Sequence, residues 1–158
     1  MSTVSSFVGP HEVPEAVRAL TTLGQIDYID LFTVTTPEAQ DRTAEEWART
    51  ILEQTPLSRR NARVLWRLMG LRLGRPGSPD HVHGWRIDGR GDNWLRLETS
   101  SWYVTGQALC IVEDGQVSLS LSLRYDRAIA ARVWAPVEGP HQRGVPVMLR
   151  QAVQLVPA

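Results

Sequence analysis

Four histidines, one cysteine and a few carboxylates set in apolar surroundings are the side chains here that could move protons, hold a metal or attack a carbonyl. His141 comes first. It follows Pro140 at an expected helix start, and imidazole changes charge near neutral pH. Acid–base work needs a carboxylate or a substrate proton within hydrogen-bond reach. Asp30, in the strand-like run from Ile26 to Thr35, and Glu98, in the run from Trp94 to Thr99, are the carboxylates placed to meet it. Burial penalises the charged form of a carboxyl group, so a carboxyl turned inward becomes a usable acid. In the plainer alternative, His141 braces the C-terminal segment, Asp30 meets an arginine and Glu98 faces water.

Two other arrangements hold less chemistry. His81-Val-His83 puts two imidazoles on one side of an extended chain, but a metal site needs a third and usually a fourth ligand. No companion motif supplies them beyond His141 or a carboxylate, so no metal is expected and a solvated loop is the simpler reading. Cys110 lies in the apolar run Leu109-Cys-Ile-Val112, where free cysteine behaves as a small hydrophobe. The chain has no nucleophile elbow, phosphate-binding loop or dinucleotide glycine fingerprint, and no cofactor is implied.

Bulk properties narrow the class. The 158 residues suit one domain, with residues 1–25 loosely patterned around Gly9-Pro10 and Pro14. Seventeen cations balance seventeen anions, and every cation is arginine. No block of like charge gives the electrostatic footprint of a nucleic-acid partner. No apolar run approaches the ~20 residues that cross a bilayer, and no signal peptide is evident at the start, so no membrane partner is expected. One cysteine cannot pair within the chain, which fits a reducing compartment, with the cytoplasm as default. Six tryptophans either fill a core or line a hollow.

The elements that must position these residues can be read from period and punctuation. Ile26 to Thr35 is rich in β-branched and aromatic types, and Pro37 ends it. Thr43-Ala-Glu-Glu46 forms a capping box, with Trp47, Ala48, Ile51 and Leu52 on one stripe behind it. A second helix starts near Ser58, with Leu57, Val64, Leu65, Leu68, Met69 and Leu71 on one arc and Trp66 pointing away. Trp66 would then meet another element or a second copy of the chain, so a homodimer is one expected arrangement. Arg60, Arg63 and Arg67 fall along one ridge, read as a solvated helix face rather than an anion site. After a loop through Gly74 and Pro79 the period becomes two. Strands follow at Gly84 to Asp88, Trp94 to Thr99, Trp102 to Val112 and Gln116 to Tyr125, the last two joined at Asp114-Gly115. Leu119, Leu121, Leu123 and Tyr125 alternate with Ser118, Ser120, Ser122 and Arg124, so one face of that strand must be buried. The tail returns to helical spacing but is expected to be cut by Pro136, Pro140 and Pro146.

This order resembles the helix-grip fold of the Bet v 1/START-related superfamily. A closer likeness is to an uncharacterised family of small actinobacterial domains. The matching residues are Tyr28-Ile-Asp30-Leu-Phe32, Glu46-Trp47-Ala48, Trp66-Arg-Leu-Met-Gly70-Leu-Arg-Leu-Gly74, Gly84-Trp85 and Ser101-Trp102. Leu123-Arg-Tyr125-Asp126, Val133-Trp134-x-Pro136 and Pro140-His141-x-x-x-Val145-Pro146 complete the set. The resemblance implies an α+β domain, a curved antiparallel sheet of five to six strands wrapped around a C-terminal helix, with two short helices after the first strand. It implies an apolar cavity between sheet and helix. Some superfamily members are polyketide cyclases, aromatases or lipid carriers. The expected ligand is a small apolar molecule, and Trp85, Trp102, Tyr125, Trp134 and Met148 are its expected contacts. The alternatives are a cofactor-free cyclase or dehydratase using His141 with Asp30 or Glu98, and an interaction module with no small ligand.

Overall fold

The alternation that marks the strands also decides which side chains reach the interior. A computed structural model describes residues 2–157. In it the chain runs β1 (Val4–Val8), α1 (Glu15–Arg18), β2 (Tyr28–Thr35), α2 (Ala44–Arg49), α3 (Pro56–Leu68), β3 (His81–Val82), β4 (Trp85–Arg90), β5 (Trp94–Ser100), β6 (Val104–Glu113), β7 (Gln116–Tyr125) and α4 (Ile129–Leu155). The fold is α+β. All strands join one open antiparallel sheet in the order β1-β2-β7-β6-β5-β4-β3. Seven strands replace the expected five to six.

The surplus arises at the N-terminus. Residues 1–25 were expected to be loose, yet Val4 pairs with Val34 and Val8 with Asp30, so β1 adds an edge to β2. Its VSSFV sequence lacks alternation because an edge strand with four of its five residues exposed has no core to satisfy. Beyond it, Val13 and Val17 pack on Ile29, Leu31, Leu109 and Ile111 and cover part of the outer sheet face. That cover explains the serines of β7: Ser118, Ser120 and Ser122 are buried, and small hydroxyls allow close approach. Ser118 Oγ lies 2.7 Å from Thr33 Oγ1, and Ser120 donates to the Asp30 carbonyl at 2.6 Å.

The other face carries the helices. Phe32, Val34, Leu95, Leu97, Leu119 and Val117 meet Trp47, Ile51, Leu149 and Ala152 in the main core. The capping box forms as its sequence requires, with Glu46 N–H donating to Thr43 Oγ1 at 3.1 Å and Thr43 N–H to Glu46 Oε1 at 2.9 Å. Trp47 is fully buried, and its indole N–H reaches the Ala39 carbonyl at 2.7 Å. A wide π-type turn, Thr50–Gln54, then joins α2 to α3.

α4 is one helix of 27 residues, although Pro136, Pro140 and Pro146 lie inside it. Each proline removes an i→i−4 bond, at a cost of about 3 kcal/mol in a helix interior. The carbonyls freed at Arg132 and Pro136 belong to exposed residues and that at Gln142 to a half-buried one. Burial of Ala130, Trp134, Val145, Leu149 and Ala152 along one stripe holds the helix against the sheet. Packing overrides local propensity here, so the expected breaks do not occur.

Candidate functional site

β2 alternates, so Tyr28, Asp30 and Phe32 share the helical face. α4 repeats its inward face at Trp134, His141, Val145 and Leu149, which brings His141 down onto β2. His141 Nε2 lies 2.7 Å from Asp30 Oδ2. The expected histidine–carboxyl pair therefore forms, with Asp30 as partner.

Asp30 is only 1% exposed, and its polar atoms are closely matched. Oδ2 accepts from the Tyr28 hydroxyl at 2.7 Å as well as from His141, and Oδ1 accepts the Leu121 N–H at 2.9 Å. Gln142 Nε2 in turn donates to the Tyr28 oxygen at 3.2 Å. Burial, together with the neighbouring Asp30 charge, pushes the Tyr28 phenol far above its ordinary value, so Tyr28 serves as a fixed donor. An ionised carboxylate only accepts, so opposite a charged Asp30 the neutral ring is the Nε2–H tautomer. His141 Nδ1, with no protein partner among the described residues, is then left as an acceptor. Trp134, Tyr28 and Phe32 meet the imidazole ring at centroid distances of 5.4, 6.3 and 6.1 Å.

This pair sits in the wall of a hollow of about 340 Å³. Its floor is the sheet, presenting Thr99, Gly106, Ala108, Leu119, Leu121 and Leu123. Gly106 keeps that floor low, since a Cβ there would stand 3.2 Å from Leu123 and 3.3 Å from Trp85. α3 forms one wall through Leu57, Asn61, Ala62, Leu65, Trp66 and Met69, and α4 the other through Trp134, Val137, His141, Val145 and Met148. Asn61, Leu65 and Pro140 both line the hollow and are exposed, which puts its mouth between α3 and α4.

Of the residues expected to touch a ligand, Trp85, Trp134 and Met148 line the hollow. Two do not. Trp102 is 64% exposed in the turn between β5 and β6, because the strand begins only at Val104 and the inward alternation never reaches it. Tyr125 lies beyond the end of the hollow, packed near Tyr28, Tyr103 and Trp134. Glu98 is also displaced. Its neighbours Leu97 and Thr99 face inward, so parity sends Glu98 to the outer face, where it meets Arg86 at 3.2 Å and Gln107 at 2.9 Å. Glu98 cannot serve His141.

Of the two expectations for Trp66, another element or a second copy of the chain, the first is met: Trp66 packs edge-on against Trp85 of β4, at 5.4 Å, and beside His83, whereas the apolar arc of α3 is not its inner face, since Val64 and Leu68 face outward. His81 and His83 diverge. His81 Nδ1 lies 3.0 Å from Ser78 Oγ, and His83, with φ of +50°, points its ring toward the Ser58 carbonyl. Among the described residues no three His, Cys, Asp or Glu side chains cluster as metal ligands. Cys110 is buried, which pushes its thiol up to about 12.

Sequence reasoning missed Tyr28 and Gln142 as members of the polar cluster, and α3 as a wall. Tyr28 was within reach, since it stands two residues from Asp30 on a strand. The inner face of α3 left no such signal.

No protein-family model matches this chain, and no curated protein matches it. A solved structure of a Pseudomonas aeruginosa protein of unknown function aligns at 13% identity over all of this chain and 85% of that one, with a TM-score of 0.25. So low a score carries no argument about fold or function. No helix among the described residues is long and apolar enough to cross a membrane.

Proposed function

We propose that the protein binds a small, largely apolar molecule in the hollow between sheet, α3 and α4, with the Asp30–His141 pair fixing its one polar end. The observation that carries this reading is a hollow of about 340 Å³ with apolar walls and one ordered polar cluster. Small-molecule sites run to ~300–1,000 Å³ with a few placed polar groups, so this one suits a compact ligand. A last helix laid along a sheet, with two helices after β2, also agrees with a helix-grip fold, to which β1 adds an edge strand. Likeness to the small actinobacterial domain family belongs to the same proposal.

Trp66, Trp85 and Trp134 line the space, so a guest there must alter indole emission. Titration with N-phenyl-1-naphthylamine tests this, with saturable quenching at one probe per chain as the expected result. No quenching by any flat apolar compound would sink the reading.

A catalytic variant of the proposal is favoured by one contact, the 2.7 Å approach of His141 Nε2 to Asp30. Asp30 holds the ring so that Nδ1 can take a proton from a carbon of a bound polyketide-like chain and return it to an oxygen, either the carbonyl oxygen that the new C–C bond turns into an alkoxide in a cyclisation or the hydroxyl that leaves as water in a dehydration. The walls would hold that chain in reactive shape. Turnover of a true substrate that survives His141→Ala would remove this variant and leave the binding reading in place.

A further inference from the structure

The two helices at the mouth carry a charge pattern unlike the rest of the molecule. The whole chain is neutral. α3 holds Arg59, Arg60, Arg63 and Arg67, and α4 holds Arg132, Arg143 and Arg150, against a single acidic residue, Glu138. None of the seven arginines makes an ion pair among the described residues, whereas Arg49, Arg86, Arg90, Arg96 and Arg124 all do. Seven of the twelve arginines that make no ion pair among the described residues therefore stand on these two helices, while Arg18, Arg42, Arg72, Arg75 and Arg127 are scattered elsewhere.

Apolar side chains stand among them. Arg60, Val64 and Leu68 follow at i, i+4 and i+8 along one edge of α3, beside the exposed Arg59 and Arg67, while Arg63 between them turns its guanidinium inward to the Gly74 carbonyl. Val64 is 60% and Leu68 81% exposed, and Leu65 reaches from the same helix into the mouth. The turn carrying Trp102 adjoins the end of α3, held there by the Tyr103 hydroxyl bond to the Met69 carbonyl and by Arg72 N–H to Ser100 O at 2.9 Å. Trp102 and Ile129 extend the apolar rim at that end.

We infer that this face docks on the surface of an anionic phospholipid bilayer. Guanidinium groups bind phosphate oxygens in pairs, while leucine, valine and tryptophan settle at the boundary between headgroups and acyl chains. Both features are needed together. A nucleic acid would use the cations and leave Val64 and Leu68 wet. An acidic protein patch would need an apolar hollow of matching shape. A bilayer satisfies both without one. Docked this way, the mouth opens toward the acyl layer, a consequence that rests on the cavity reading, whereas the docking itself does not.

Flotation with phosphatidylcholine vesicles, with and without phosphatidylglycerol, tests the inference on the full chain. Binding is expected only with the anionic lipid, and is expected to weaken in high salt. Because each surface arginine contributes on the order of a fivefold gain in partitioning, Arg60→Glu with Arg67→Glu is expected to lower it on the order of a hundredfold or more. Leu68→Ala with Trp102→Ala is expected to weaken binding at every salt concentration. Arg60→Gln with Arg67→Gln provides a milder pair in case the reversals disturb folding. All of these variants should still bind N-phenyl-1-naphthylamine in solution, since none of the four residues lines the hollow. Equal affinity for both vesicle types would overturn the inference. So would binding indifferent to the arginine changes, or a vesicle-blind dimer that buries Leu68 and Trp102. Vesicle binding without probe binding would instead sink the cavity reading alone.

Discussion

Ala108→Phe separates a hollow interior from a filled one by the sign of its effect. Ala108 lies mid-strand on β6, between Leu97 on β5 and Leu121 on β7, with its side chain on the cavity floor. A ring added there projects into the space below Trp66 and Met148. If that space is empty, the ring is buried without displacing protein atoms. Full burial of a phenylalanine side chain is worth about 1.5–3 kcal/mol, of which the alanine methyl already supplies a part. After the loss of ring rotamers, the net expected change is between zero and about 2 kcal/mol of stabilisation. That corresponds to a rise in Tm of up to about 8 °C for a chain of this size. In a filled interior the same ring would overpack and cost about 1–3 kcal/mol. Urea unfolding with an unchanged slope reads the difference, and probe titration of the same sample should show affinity reduced at least about tenfold, the equivalent of 1.4 kcal/mol. Marked destabilisation with probe affinity intact would refute the reasoning, because it would mean that the ring had met protein and missed the guest's site.

Other expectations follow from single contacts. Tyr28→Phe removes one of three donors from the buried Asp30 carboxyl and should cost about 1–3 kcal/mol in chemical unfolding; an unchanged midpoint would mean that the cluster contributes nothing to stability. His83 titrates below its ordinary value of 6.5, first because it is half-buried and then because Arg63 lies near. Between its folded value and 6.5 the unfolded chain binds more protons, so this contribution should fall away as pH drops through 6.5 and level off below the folded value. Replacement by glutamine should flatten that part of the stability–pH curve, and a curve of the same slope would contradict the assignment. The Cys110 thiol, buried and raised to about 12, should ignore a disulfide reagent at mildly alkaline pH until the chain is unfolded. Rapid labelling of the native protein would show that β6 opens.

The legible parts of the fold were those governed by local rules. Alternation placed Leu119, Leu121 and Leu123 inward, Asp114-Gly115 closed the hairpin with Gly115 at a φ of +76°, and Thr43 with Glu46 began a helix. The hidden parts depend on distant partners. β1 is held by β2 and has no pattern of its own, while α4 survives three prolines because the sheet buries its inner stripe. At the site, Asp30 and His141 could be chosen from residue type, while Trp85, Trp134 and Met148 followed from the resemblance to a helix-grip domain. Glu98 could not be excluded until the inward positions of β5 were known, since one residue of parity separates the helical face from the outer one. The inner face of α3 was hidden for a related reason. The arc chosen for α3 followed its apolar residues, and two of those, Val64 and Leu68, lie on the outside.

A crystal held under xenon pressure puts the question to the molecule directly, because a dry apolar hollow takes up the gas and a filled one cannot. Xenon density is expected between the sheet, α3 and α4, near Ala108 and Leu121 and absent from an Ala108→Phe crystal. Side chains occupying that volume in the native crystal, with no xenon bound there, would contradict it.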